Sequence, residues 1–338
     1  MAAQLDLAYV ITHPRRIWPR LCAYLFFEGR PLTTRGRFIN PLVFLFFNVL
    51  VKLAGARRVS SPAFIVGMGR SGTTALGMAL STQNKISFLN EAKAVWAFAI
   101  SEEDLIGSYN LQPARYRFAA GDVTDSASAK LRAVYSVFLK LTSGSVLVEK
   151  YPELLFRLDY ILEIFPDAKF LFLSRNGEEV CTSVQNWSAL HGECSARYRA
   201  DWWGINGRKW RYLVDQLVVE HDDLAPYRDE LESLEDQAAM AAVEWIISMR
   251  EGLKVIATGH ESVLHIAYEV LCETPEVCLG QISSFLGWTP SQKEAASFCD
   301  RFKVNERNTP IRLPDWLQTP FNSTQAMLDA AAKAGREG

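Results

Sequence analysis

Phe64–Leu76 reads FIVGMGRSGTTAL. Its opening run, Ala63–Val66, is short and continuously apolar, which predicts a buried strand. The stretch Thr73–Leu80 (TTALGMAL) reads as the start of a helix. Between them, glycines let the chain curl tightly, so that successive backbone N–H groups point inward. The start of the helix adds positive potential. Thr73 and Thr74 add hydroxyl donors, and Arg70 adds a permanent charge with a forked set of donors. A loop of this kind suits an anion with several oxygens.

Working outward, the same chemistry meets an alternating pattern. Ser145–Glu149 (SVLVE), Lys169–Leu173 (KFLFL) and Ser262–Ala267 (SVLHIA) predict three further strands. Pro152–Phe165 (PELLFRLDYILEIF) predicts a helix with Leu154, Leu155, Leu158, Ile161, Leu162 and Phe165 on one face. Another helix begins near Gly177, with Glu178 and Glu179 in its first turn, where the dipole favours acids. Residues 198–252 read as mostly helical. Thr274 and Pro275 open a later helix that ends near Gly287. Strands alternating with helices predict an α/β fold: a central parallel sheet flanked by helices, with a P-loop-like loop and a helical N-terminal arm. The expected division is an arm over residues 1–58, an α/β domain over 59–310 and a tail over 311–338.

Bulk properties exclude some classes. The chain has 338 residues, 49% hydrophobic and 22% charged, with net charge −2. That is ordinary globular composition and gives no argument for a nucleic-acid partner. The six cysteines show no C-x-x-C pair and no zinc spacing, so they read as free thiols of a reducing compartment. The first residues carry no secretory signal pattern, and the expected location is cytoplasmic. Charge is uneven, however. Residues 1–60 hold nine Arg and Lys against Asp6 and Glu28, whereas Asp222–Asp236 holds seven acids against Arg228. The acidic stretch reads as a solvated connector. The longest apolar run, Leu42–Val51 (LVFLFFNVLV), is too short to span a bilayer. Basic and apolar together, residues 1–58 suit either a helical arm packed on the domain or a segment lying on a membrane surface.

Two readings of the loop remain open on its own evidence. Gly67 and Gly72 have the spacing of a nucleotide triphosphatase loop, and Val146–Glu149 could serve as a Walker B strand, which keeps a P-loop kinase or NTPase in view. Against it, Thr73 stands where the lysine that reaches the β- and γ-phosphates belongs, and the cation comes earlier, at Arg70. A membrane-peripheral binding protein with a degenerate loop is the third reading.

The loop Gly69-Arg70-Ser71-Gly72-Thr73-Thr74-Ala75-Leu76 resembles the P-R-S-G-T-T-L segment of the sulfotransferase superfamily, more narrowly its tyrosylprotein-sulfotransferase-like branch with bacterial relatives. The resemblance implies that Gly69, Arg70, Ser71, Gly72, Thr73 and Thr74 bind the 5′-phosphosulfate of 3′-phosphoadenosine 5′-phosphosulfate (PAPS), with adenosine 3′,5′-bisphosphate (PAP) as the product. Ala168–Val184 (AKFLFLSRNGEEVCTSV) resembles the segment in which an Arg and a Ser eight residues later bind the 3′-phosphate, here Arg175 and Ser183. Arg175 also leaves the C-terminal end of a strand, where α/β ligands bind. Val148–Pro152 (VEKYP) resembles N-K-x-P, which implies Lys150 near the leaving oxygen. Glu91 falls where the tyrosylprotein branch has its catalytic base, and His191 is the reserve. Arg301–Arg307 resembles a basic segment that closes over the nucleotide, which implies Lys303 and Arg307. Tyr268-Glu269 resembles the family's Y-E pair and reads as structural. The likeness runs from about Pro62 to Arg307.

These residues imply in-line sulfuryl transfer without a metal. Glu91 would take the acceptor's proton, for which partial burial and a raised pKa are expected. Arg70 and Lys150 would stabilise charge on the bridging oxygen. The acceptor would carry a hydroxyl. Trp187, Trp202, Trp203 and Trp210 offer aromatic faces for a sugar, phenol or lipid chain, and the basic arm points to a glycan or glycolipid near a membrane.

Overall fold

The computed structural model describes residues 5, 7–28, 39–53, 59–194, 199–304 and 310–337. Five strands form one sheet: β1 (Ala63–Gly67), β2 (Ile86–Asn90), β3 (Val146–Lys150), β4 (Lys169–Ser174) and β8 (Val263–Ala267). Their order is β2-β3-β1-β4-β8, and every pairing is parallel. Ala63 lies opposite both Val148 and Lys169, so β1 is central. Parallel strands are covered by helices on both faces, and this is why β1 and β4 are apolar without alternation. Phe64, Val66, Phe170 and Phe172 enter one core layer with Trp96 and Trp245. Ala63, Ile65, Leu171 and Leu173 enter the opposite layer with Leu76 and Ile266.

A parallel sheet sends all its strands' C-terminal ends to one edge. Arg70, Glu91, Lys150, Arg175 and Tyr268 therefore leave five strands on the same side. The edge strand β2 is absent from the sequence reading; its five residues, ISFLN, are too few and too mixed to announce a strand. Its exposed backbone is covered by the N-terminal arm. Arg20 donates to Phe88 O at 3.3 Å, and Glu28 accepts from Asn90 N at 2.7 Å. The two side chains form a buried, bidentate pair at 2.6 Å. Arg16 donates to the carbonyls of Ser81 at 3.0 Å and Asn84 at 3.2 Å, and to that of Ile86. Of the arm's cations, Arg16 and Arg20 thus serve the fold.

Three segments differ from expectation. Pro152–Arg157 is 3₁₀ and only Leu158–Ile164 is α-helical. The break falls at Arg157, with φ −139°, whose buried guanidinium donates to the carbonyls of Tyr116 and Arg115. The stretch expected to be helical from residue 198 opens instead with a small antiparallel sheet, β5 (Glu193–Cys194), β6 (Arg199–Asp201) and β7 (Gly204–Ile205). Gly204, Asn206 and Gly207 all take positive φ there, which favours turns over helix. Helices Arg208–Gln216 and Gln237–Ala257 follow. The segment read as a tail is a helix over Asp315–Glu337, with Leu317, Phe321 and Leu328 in the core.

Candidate active site

The loop after β1 needs its glycines for stated reasons. Gly67 has φ +141°, and a Cβ there would lie 2.5 Å from Leu173 O on β4. Gly72 has φ +91°, and a Cβ would meet the Tyr268 ring at 2.3 Å. Arg70 takes a positive φ of 72° without being glycine. That conformation costs about 1–3 kcal/mol and persists where its surroundings hold it. Here they do: Arg175 Nη1 donates to Arg70 O at 3.2 Å, and Arg70 Nε donates to Ser183 Oγ at 3.0 Å. Thr73 opens the following helix and is buried, with Thr74 partly so. Ser71 Oγ is buried and has no hydrogen-bond partner among the described residues. A buried hydroxyl without a partner, in the loop between Gly67 and Gly72, fits the oxyanion that the resemblance implies there.

The second expected binding group follows β4. Arg175 follows that strand directly, and Asn176 caps the helix Gly177–His191 by accepting from Glu179 N at 3.3 Å. The guanidinium pairs with Glu179, Nε to Oε2 at 2.9 Å, and lies 4.5 Å over the Tyr268 ring. Tyr268 and Glu269 do more than fill space: the ring also backs Gly72, and Glu269 accepts from Asn176 N at 2.8 Å. Gln325 on the C-terminal helix accepts from Gly177 N at 3.0 Å, so that helix braces the same turn.

Across the edge, Lys150 at the end of β3 is buried and pairs with Glu91, just past β2. Glu91 has φ 55° and donates its N–H to Lys150 O at 2.7 Å, which fixes the two side chains against each other. Arg70, Ser71, Gly72, Thr73, Thr74, Arg175 and Ser183 thus gather on one half of the edge, Glu91 and Lys150 on the other.

A sequence profile of the sulfotransferase family matches residues 62–292. The chain belongs to the sulfotransferase family. It is an enzyme that transfers a sulfuryl group, and the kinase or NTPase reading of Gly67 and Gly72 falls away. Among solved structures, it is similar to a sulfotransferase from Alicyclobacillus acidocaldarius at 20% identity, covering 82% of this chain and 96% of that one, with TM-score 0.43. The sulfotransferase domain of the Synechococcus PCC 7002 olefin synthase matches at 17%, covering 82% and 97%, with TM-score 0.44. Sulfotransferase STF9 from Mycobacterium avium matches at 12%, covering 91% and 90%, with TM-score 0.46. No curated protein matches the chain.

The sulfotransferase surrounds Glu91 with charge that sequence reasoning missed. Lys93 lies 3.7 Å from Glu91 and 3.8 Å from Glu153. Lys209 lies 3.3 Å from Glu153 and 2.5 Å from Glu244. Glu244 accepts from Trp202 Nε1 at 2.8 Å, and the Trp202 ring packs against Gly69, where a Cβ would come within 2.5 Å. Burial would raise the Glu153 carboxyl, but Lys93 and Lys209 outweigh it and hold the group well below the usual carboxylate range. Burial works against the Lys209 ammonium, yet Glu244 and Glu153 leave it above its ordinary value. The expectation for Glu91 was partial burial; two ammonium groups, of Lys150 and Lys93, also face it. One signal was available, since Glu244 is a lone carboxylate in the otherwise apolar run AAMAAVEWII.

Beneath this chain sits Glu149, wholly buried, accepting from Trp96 Nε1 at 3.0 Å and Ala92 N at 3.2 Å, and from Tyr135 Oη. Burial pushes its pKa up to about 7.

The remaining expected residues stand apart. His191 is exposed at the end of its helix, two turns beyond Ser183, with its ring 5.4 Å from Trp187. Lys303 is exposed after Phe302, and Arg307 lies outside the described residues. Trp203 and Trp210 are core, stacked edge to face at 5.2 Å, whereas Trp187 and Trp202 are partly exposed and meet at 5.5 Å beside the loop.

Proposed function

We propose that the enzyme moves a sulfuryl group from PAPS to the hydroxyl of a glycan, glycolipid or other membrane-proximal acceptor, releasing PAP. In this reading the loop from Gly69 to Thr74 holds the 5′-phosphosulfate, and Arg175 with Ser183 holds the 3′-phosphate. The orphan hydroxyl of Ser71 supports a bound oxyanion in the loop. The hydrogen bond from Arg70 to Ser183 supports one continuous ligand spanning both subsites.

Glu91 takes the proton as the acceptor oxygen attacks sulfur in line. Lys150 turns from Glu91 to the oxygen bridging sulfur and phosphorus, where Arg70 also stabilises the growing charge. The observation that carries this division of roles is the Glu91–Lys150 pair beside the loop. Base and leaving-group cation lie side by side, and Lys93 at 3.7 Å remains against Glu91 when Lys150 turns away. Trp202 and Trp187, partly exposed next to Gly69, offer a face for the acceptor. The test is incubation with PAPS labelled in its sulfuryl group and a fractionated cell extract. Label entering a lipid or polysaccharide fraction supports the acceptor class; label entering only peptide or small phenols replaces it.

A further inference from the structure

Of the loop glycines, Gly69 is the one that no turn requires. Gly67 and Gly72 take positive φ, and Gly69 does not. What it gives is room. A Cβ there would lie 2.5 Å from Trp202 Cη2 and 2.9 Å from Cζ2, closer than a side-chain carbon can sit. Glycine therefore lets the edge of one particular indole reach the loop backbone.

That indole is held from behind. Trp202 stands in the turn between β6 and β7. Its neighbour Trp203 is buried and anchors the turn: Nε1 donates to Gln237 Oε1 at 2.9 Å, and the carbonyl accepts from Lys209 N at 2.8 Å. Trp202 Nε1 donates to Glu244 Oε2 at 2.8 Å, and the other oxygen of that carboxylate meets Lys209 Nζ at 2.5 Å. The same ammonium lies 4.8 Å from the centre of the Trp202 ring. The Lys209 and Glu244 side chains are 3% and 6% exposed, so neither can leave the other without stranding a buried charge.

A glycine backbone is the freest in the chain, and a binding loop gains when it is held in its bound shape before the ligand arrives. The buried pair supplies that restraint from outside the loop. We propose that Lys209 and Glu244 are positioning residues for the loop, holding the Trp202 indole edge against Gly69 so that the backbone there is set before the 5′-phosphosulfate binds. They act through Trp202 and not on the nucleotide. The proposal rests on the reading that this loop holds the 5′ group.

The test is equilibrium binding of two nucleotides to the full chain: PAP, and adenosine 3′-monophosphate, which lacks the 5′-phosphate. In Trp202→Ala and in Lys209→Met, PAP affinity should fall about tenfold, near the loss of one hydrogen bond to a charged group, while adenosine 3′-monophosphate binds within about twofold of wild type. A thermal transition shows whether each variant folds. Trp202 is partly exposed, and its variant keeps the test open if the buried Lys209→Met does not fold. Wild-type PAP affinity in either folded variant overturns the proposal. So does an equal loss for both nucleotides, which is what general damage to the domain would give. A wild type that binds no PAP removes the reading of the loop itself, and the proposal with it.

Discussion

The two halves of one sheet edge are built on opposite electrostatic plans. Over β1 and β4, cations and N–H groups converge on a loop with an unpartnered buried hydroxyl, Ser71 Oγ. Over β2 and β3, charges alternate: Lys150 with Glu91, Glu91 with Lys93, Lys93 with Glu153, Glu153 with Lys209, Lys209 with Glu244. In the first half Arg175 is paired with Glu179, whereas Arg70 bonds to the Ser183 hydroxyl and to no carboxylate among the described residues, as suits the proposed anion site. The second pairs each ammonium with a carboxylate and each carboxylate with an ammonium, as suits the proposed base and its supporting cations. The contrast suits the proposed roles, with the anion gripped over β1 and β4 and the proton taken over β2 and β3, and with Arg70 shared between binding and chemistry.

The largest effect is expected at Glu91. Glu91→Gln should lower kcat by ~10²–10⁴ while PAP binding stays unchanged in calorimetry. Equal losses in both would erase the division between the halves. Next is the balanced chain itself. Glu153→Gln leaves Lys93 and Lys209 sharing one carboxylate fewer in a buried site, and should cost about 3–5 kcal/mol of stability in urea unfolding. A cost near zero would mean that solvent, not Glu153, balances those ammonium groups.

The smallest expected effect is a pH slope. The Glu149 carboxyl is raised from 4.5 to about 7 by burial. A raised carboxyl pKa favours the protonated fold, so its contribution is fully present below pH 4.5 and is lost as pH rises through about 7. Measured against Glu149→Gln, the wild type should therefore lose relative stability across that window. A difference that stays flat with pH would remove the burial argument.

The strand–loop–helix over β1 was legible because glycine, arginine and threonine stand at fixed spacing after a short apolar run. The parallel sheet was legible from continuous apolar runs at β1, β3, β4 and β8. The balanced half was not. Lys93, Glu153, Lys209 and Glu244 come from four separate elements and meet only once the chain has folded. Glu91 was found through resemblance, without the two ammonium groups that face it. The strand β2 was hidden by its brevity, and the role of Arg20 and Glu28 in covering it could not be read from a stretch that looked basic and apolar. Tyr268 was read as structural, yet its ring stands between Gly72 and Arg175, a contact that no local pattern announces.

In the proposed function the enzyme grips a doubly phosphorylated adenosine at both ends, through Arg70 and Arg175. Calorimetric titration with PAP of wild type, Arg70→Ala, Arg175→Ala and the double variant tests it most directly. Each single change should weaken binding by about 1.5–3 kcal/mol, the range for hydrogen bonds to charged groups, and the double change should weaken it further. Undiminished affinity in the double variant would contradict the account.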